Sequence, residues 1–133
     1  MTEEVLSQYT DQPASLPVAV RSVVESSWGN APVILYALAD LDESLTLTRQ
    51  WVALGPERIA VVREVEGASP QILCNVVRSD VKTVREVPGL SCTVLTFLGE
   101  GNTAALATVR YSHRQRRSFE TIVFIVEQQT KGF

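Results

Sequence analysis

Between Pro32 and Ser112 the chain alternates short, β-branched apolar stretches with runs of turn residues, and this rhythm constrains the fold more than any other feature. The stretches are Val33–Ala39, Leu45–Leu54, Ile59–Glu64, Ile72–Val77, Val81–Val87, Cys92–Leu98 and Ala104–Tyr111, each with the Val, Ile, Leu, Thr and aromatic content of a strand. Asp40-Leu41-Asp42-Glu43, Gly55-Pro56-Glu57, Gly67-Ala68-Ser69-Pro70, Arg78-Ser79-Asp80, Pro88-Gly89 and Gly99-Glu100-Gly101-Asn102 separate them. A parallel pair needs a crossover of about a dozen residues or more, and no separator is that long. The seven strands therefore pair antiparallel, as a meander joined by tight turns.

The period changes at both ends of this region. Ser15 is placed to cap a helix and Pro17 is tolerated in a first turn, after which Leu16, Val20, Val23, Val24 and Ser27 recur on one face. The spacing predicts a helix over 16–27, stopped by Trp28-Gly29-Asn30 and by Pro32. At the other end, Val109 to Gly132 runs through a basic turn into a helix predicted over 113–130. Thr121 to Val126 is strand-like by propensity alone. A capping box of Ser112 and Gln115, a Gly at 132 and the stripe Phe119, Ile122, Val123, Val126 favour helix instead. Phe124 and Ile125 lie more than about 100° off that stripe, so either the N-terminal helix or a partner must cover them.

The organisation is then a flexible lead-in over 1–14, an N-terminal helix over 15–30 and a β domain over 31–133. The fold class is mostly β (α+β): an antiparallel seven-stranded sheet or partial barrel, capped by one C-terminal helix and preceded by a short N-terminal one. A chain of 133 residues forms one domain and buries roughly two thirds of its unfolded surface. The net charge of −3 gives no global attraction to nucleic acid, which is excluded as a partner. Cys74 and Cys92 have neither framework number nor zinc or redox spacing, and read as buried free thiols in a reducing compartment. No stretch reaches the roughly 18 apolar residues of a membrane span, and Met1 to Thr10 is unlike a secretory signal. These features point to a cytoplasmic chain.

Catalytic motifs are missing from the sequence. Gly99-Glu100-Gly101-Asn102-Thr103-Ala104 spells GxGxxA, but a strand rather than a helix follows, so it reads as a hairpin turn and no cofactor is expected. His113 is the only histidine, which removes paired-His metal sites and most triads. The densest charge feature is Arg110, His113, Arg114, Arg116 and Arg117, able to receive an anionic lipid headgroup, a phosphate or an acidic protein surface. The plainer reading is a solvated face at the first turn of a helix, although cations there oppose the helix dipole by a few tenths of a kcal/mol. Asp40, Asp42 and Glu43 read as an acidic loop without enough ligands for calcium. Trp51 reads as core; Trp28, at a helix end, is a candidate contact anchor.

Seven antiparallel strands closed by one C-terminal helix resemble the pleckstrin-homology (PH) superfold. More narrowly, Leu41-Asp42, Trp51-Val52-Ala53-Leu54, Glu57-Arg58-Ile59-Ala60-Val61-Val62, Val109-Arg110-Tyr111-Ser112 and Glu127-Gln128-Gln129-Thr130-Lys131-Gly132 resemble the PH-like region preceding the transmembrane domain of some bacterial ABC exporters. The similarity spans about residues 32–132. It implies a non-enzymatic accessory or docking domain at the inner face of the cell membrane, with membrane helices and an ATPase motor beyond Phe133. The implied partners are that transmembrane and ATPase part, a second copy in a homodimer, and an anionic membrane surface. Unlike phosphoinositide-binding PH domains, the loop from Asp40 to Ser44 is acidic. Two readings stand beside this one: an anion-binding module using the basic turn 110–117, and a ligand-binding or enzymatic barrel, which needs a deep polar pocket.

Overall fold

A computed structural model describes residues 15–102 and 105–130. Helix α1 (Val18–Ser27) leads into strands β1 (Leu35–Leu41), β2 (Leu47–Leu54), β3 (Arg58–Arg63), β4 (Gln71–Val77), β5 (Thr83–Pro88), β6 (Cys92–Leu98) and β7 (Ala105–Ser112). A 3₁₀ turn (His113–Gln115) then opens helix α2 (Arg116–Thr130). The strands form one sheet in the order β4-β3-β2-β1-β7-β6-β5. Every pairing is antiparallel, and the sheet is not closed into a barrel. The single meander expected from the short separators is broken once: β4 and β5 lie at opposite edges, and two meanders, β1 to β4 and β5 to β7, meet instead where Leu41 of β1 faces Arg110 of β7, a long-range pairing that no separator length reports.

The sheet carries apolar residues on both faces, and each helix takes one. Ala37, Ala39, Val52, Leu54, Ile59, Val61, Leu95, Phe97, Val109 and Tyr111 form the larger core under α2, which contributes Phe119, Ile122, Val123 and Val126. All four helix residues are buried, as their spacing predicts. On the opposite face Leu38, Trp51, Ala53, Ala60 and Val62 meet Leu16, Val20, Val24 and Trp28 of the α1 segment. The middle of β2 and of β3 is thus covered from both sides, which explains why Trp51-Val52-Ala53-Leu54 and Ile59-Ala60-Val61-Val62 are unbroken apolar runs.

Several boundaries differ from the sequence reading. Strand β1 starts two residues late and runs through Asp40 and Leu41, which the composition assigned to a turn. The reason is a side-chain tie: the Asp40 carboxylate accepts hydrogen bonds from the Ser112 amide (2.7 Å) and hydroxyl (2.5 Å). That same tie removes Ser112 from the expected capping box, so no side chain caps the 3₁₀ turn and the α-helix begins only at Arg116. At α1 the cap position belongs to Pro17 rather than Ser15; its extended backbone aims its carbonyl at the Arg21 amide, 3.0 Å away. Gly29 and Asn30 adopt the positive φ expected of a helix stop. The lead-in 1–14, the strand start at Ala104 and the cap at Gly132 lie outside the described residues.

Gly55 shows how tightly the smaller core is built. It is buried at the end of β2, and a Cβ there would sit 2.5 Å from the Trp28 ring. Trp28 is fixed in turn by its indole N–H, which donates to Asn75 at 3.1 Å. Gly55→Ala is expected to destabilise the fold by about 1–3 kcal/mol, read as a lower urea midpoint, with the indole displaced in fluorescence spectra.

Candidate functional site

Strand β7 delivers the basic segment, and the structure divides it. Alternation along the strand puts Ala107, Val109 and Tyr111 into the larger core. Arg110, half-buried, lines a cavity with Arg63, while His113 and Arg114 stand exposed on the 3₁₀ turn. Arg116 and Arg117 are exposed in the first turn of α2, where Arg116 lies 4.0 Å from Glu120. The five residues therefore do not form one patch: four cluster at the helix start and Arg110 faces elsewhere.

Tyr111 anchors this end of the molecule. Its ring stacks on Phe119 at 4.0 Å with an interplanar angle of 5°, joining β7 to α2. The phenol donates to Glu86 on β5 at 3.2 Å. Burial first, and then the negative charge of Glu86, push the Tyr111 pKa well above its ordinary value. On the outer face Glu64 accepts from Arg49 Nε (2.7 Å) and from the Trp51 indole (2.6 Å), so its charge is spent locally.

Exposed apolar residues collect on neighbouring elements. Phe124 is 61% exposed on the outer side of α2, and Val87 and Leu90 are 52% and 102% exposed at the end of β5 and in the turn after it. Helix α2 packs beside β5. Ile125 is half-buried and joins the larger core, and α1 lies on the other face of the sheet, so of the two surplus residues only Phe124 remains uncovered. Trp28, read as a contact anchor, is instead a core ring.

The free edge of β5 is poorly suited to adding a strand. The Gly89 amide donates to the Cys92 carbonyl at 2.7 Å, which fixes the alternation of the β5–β6 ladder and turns Val84, Glu86 and Pro88 toward the open edge. Pro88 has no N–H to offer there. Contacts on this side must be made by side chains.

At the far end of α2, Arg78 ties three elements together. Its guanidinium donates to Gln129 Oε1 (2.9 Å), to the Gly55 carbonyl (2.8 Å) and to the Pro56 carbonyl (3.2 Å), while the Gln129 amide donates back to the Arg78 carbonyl. Burial lowers the Arg78 pKa.

Among the described residues, surface grooves include one of about 580 Å³ beside Arg78 and Gln129 and one of about 160 Å³ lined by residues that include Arg63 and Arg110. Among the described residues, no three His, Cys, Asp or Glu side chains gather where they could hold a metal. Cys74 and Cys92 are free and half-buried, and burial raises the Cys74 pKa, the opposite of what a thiolate nucleophile requires. Gly99 to Asn102 forms a turn between paired strands β6 and β7, with Gly101 at φ 78°, so it is a hairpin connection; Thr103 and Ala104 lie outside the described residues.

No family model matches the chain, and no curated protein matches it. Arg63 and Gln50 were missed by the sequence reading, although alternation carried the signal: each shares strand parity with core residues, Arg63 with Ile59 and Val61, Gln50 with Val52 and Leu54.

The Tyr111 environment generates a pH prediction. Above pH 10.0, its ordinary value, the unfolded chain releases the Tyr111 proton while the folded chain holds it, so stability is full below that pH and falls as pH rises through it. Tyr111→Phe should flatten that fall in urea midpoints measured on both sides of pH 10.0.

Proposed function

We propose that this chain is a PH-like accessory domain without enzymatic activity, which docks onto protein, and that its partner is the transmembrane and ATPase part of a bacterial ABC exporter. The observation that carries the reading is the architecture itself: seven antiparallel strands arranged as two meanders joined through β1 and β7, followed by a single helix whose stripe seals one face. That is the plan the resemblance requires. Support for docking comes from Phe124 and Leu90, large apolar side chains exposed on α2 and in the turn after β5, the strand α2 packs beside.

A second reading draws on the exposed start of α2. Arg114, Arg116 and Arg117 stand at the helix end whose dipole disfavours cations, and an anionic membrane surface would compensate them by about 1 kcal/mol per side chain. It places the domain at the inner face of the membrane without replacing the protein partner.

The test is co-purification with the membrane and motor part of the exporter encoded with this chain. Phe124→Asp combined with Leu90→Asp is expected to weaken association at least about tenfold, or 1.4 kcal/mol, with the urea midpoint unchanged. Undiminished association would remove this face from the docking surface, and the lack of any such exporter would remove the transporter reading. Sedimentation with anionic vesicles, lost in Arg114→Glu with Arg117→Glu, checks the second reading.

A further inference from the structure

The two rims of the sheet are not equally protected. A rim strand presents unpaired N–H and C=O groups, and native sheets blunt it with charge, proline or a cover. Strand β5 carries Arg85, Glu86 and Pro88. Strand β4, at the other end of the strand order, holds neither charge nor proline in its seven residues. Leu73 and Val77 are 38% and 36% exposed along it.

The ladder fixes which backbone groups of β4 face outward. The Gly55 amide donates to the Arg58 carbonyl (2.9 Å), so Arg58 faces β2, and the Arg78 amide donates to the Glu57 carbonyl (2.8 Å), so Arg78 faces β3. Alternation from either bond gives the same result. Val76, opposite Ile59, faces β3, whereas Asn75 and Val77 turn their N–H and C=O groups toward the open rim. A register slip between Val61 and Val62 leaves Leu73 without a counterpart on β3, so the regular part of the rim is 74–77. The Asn75 side chain accepts the Trp28 indole N–H at 3.1 Å, which steadies the strand where its backbone is unpaired.

From a rim with outward donors and acceptors and no charge, we infer that β4 pairs antiparallel with β4 of a second copy of this chain, joining the two sheets into one. Two-fold pairing sets a rim against itself, so a charge on it meets its own like and repels. The neutrality of β4 removes that penalty, and it withholds the charge by which a different, charged partner would be selected. Centred on Val76, the pairing places Asn75 of each chain opposite Val77 of the other, so each of these residues donates once and accepts once. Val76, which belongs to the larger core, then meets its own counterpart and extends that core across the two-fold axis. So short a pairing falls below the about 1,600 Å² of a standard interface, and the dimer is expected at micromolar concentrations and above. The inference does not rest on the docking reading, whose residues Phe124 and Leu90 lie toward β5, the opposite rim.

The experiment is sedimentation equilibrium of the full chain from about 1 to about 500 µM, where wild type should pass from monomer to dimer. At Val77 the backbone φ is −77°, already that of a proline, and the N–H takes no part in the β3–β4 ladder. Val77→Pro should therefore keep the fold and weaken self-association at least about tenfold. Val77→Lys, which charges the rim without constraining the backbone, should weaken it likewise, and it decides the matter if the proline variant unfolds at a lower urea midpoint. Phe124→Asp with Leu90→Asp should leave self-association unchanged. In wild type, amide exchange at Asn75 and Val77 should slow as concentration rises, while Val76 stays protected throughout. A chain that remains monomeric over this range overturns the proposal, as does a dimer that survives both Val77 substitutions or one lost only in Phe124→Asp with Leu90→Asp.

Discussion

The burial of β2 and β3 on both faces is the constraint from which the rest follows. A strand covered on one side can alternate apolar with polar residues, but Trp51, Val52, Ala53 and Leu54 have no solvent face at all. Two helices are therefore required, one per face, and the chain supplies one at each end. Trp28 closes the α1 side so closely that the strand beneath it must end in glycine. The Tyr111–Phe119 stack closes the α2 side.

Once both faces are occupied, only the rims and ends of the sheet are left for other work. The β5 rim is defended by Pro88 and by charged Arg85 and Glu86, which suits contact through protruding side chains. The end beside Arg78 is tied shut by a reciprocal pair of hydrogen bonds with Gln129. The opposite end is different in kind, because Arg63 Nε is buried there without a hydrogen-bond partner among the described residues, while Asp42 and Glu64 are engaged elsewhere. Functional capacity thus sits where regular pairing lapses.

Most of the fold was legible in the sequence because it rests on local signals. Turn residues marked all six strand connections, and the period of Phe119, Ile122, Val123 and Val126 outweighed the β propensity of Thr121 to Val126. Two of the misreadings share one cause. Asp40 looked like a turn residue and Ser112 like a helix cap, and both were claimed by each other across the sheet, which no local pattern reports. The site was less legible still. Arg63 follows four apolar residues and continues their inward parity, a sign of a core-facing charge, but its meaning depends on whether an acceptor meets it. Conversely the basic run from Arg110 to Arg117 read as one feature, and strand alternation followed by a helical turn sends its members to separate surfaces.

The Asp40–Ser112 tie also has a bearing on how the molecule assembles. Each meander is stitched by turns of a few residues, whereas this contact spans 72 positions and joins the two halves. Closing so long a span costs roughly 2 kcal/mol more chain entropy than closing a single hairpin. The carboxylate stands at this long-range seam, where two charge-assisted hydrogen bonds offset part of that entropy, so the two locally stitched halves are held by a contact that neither half can make alone.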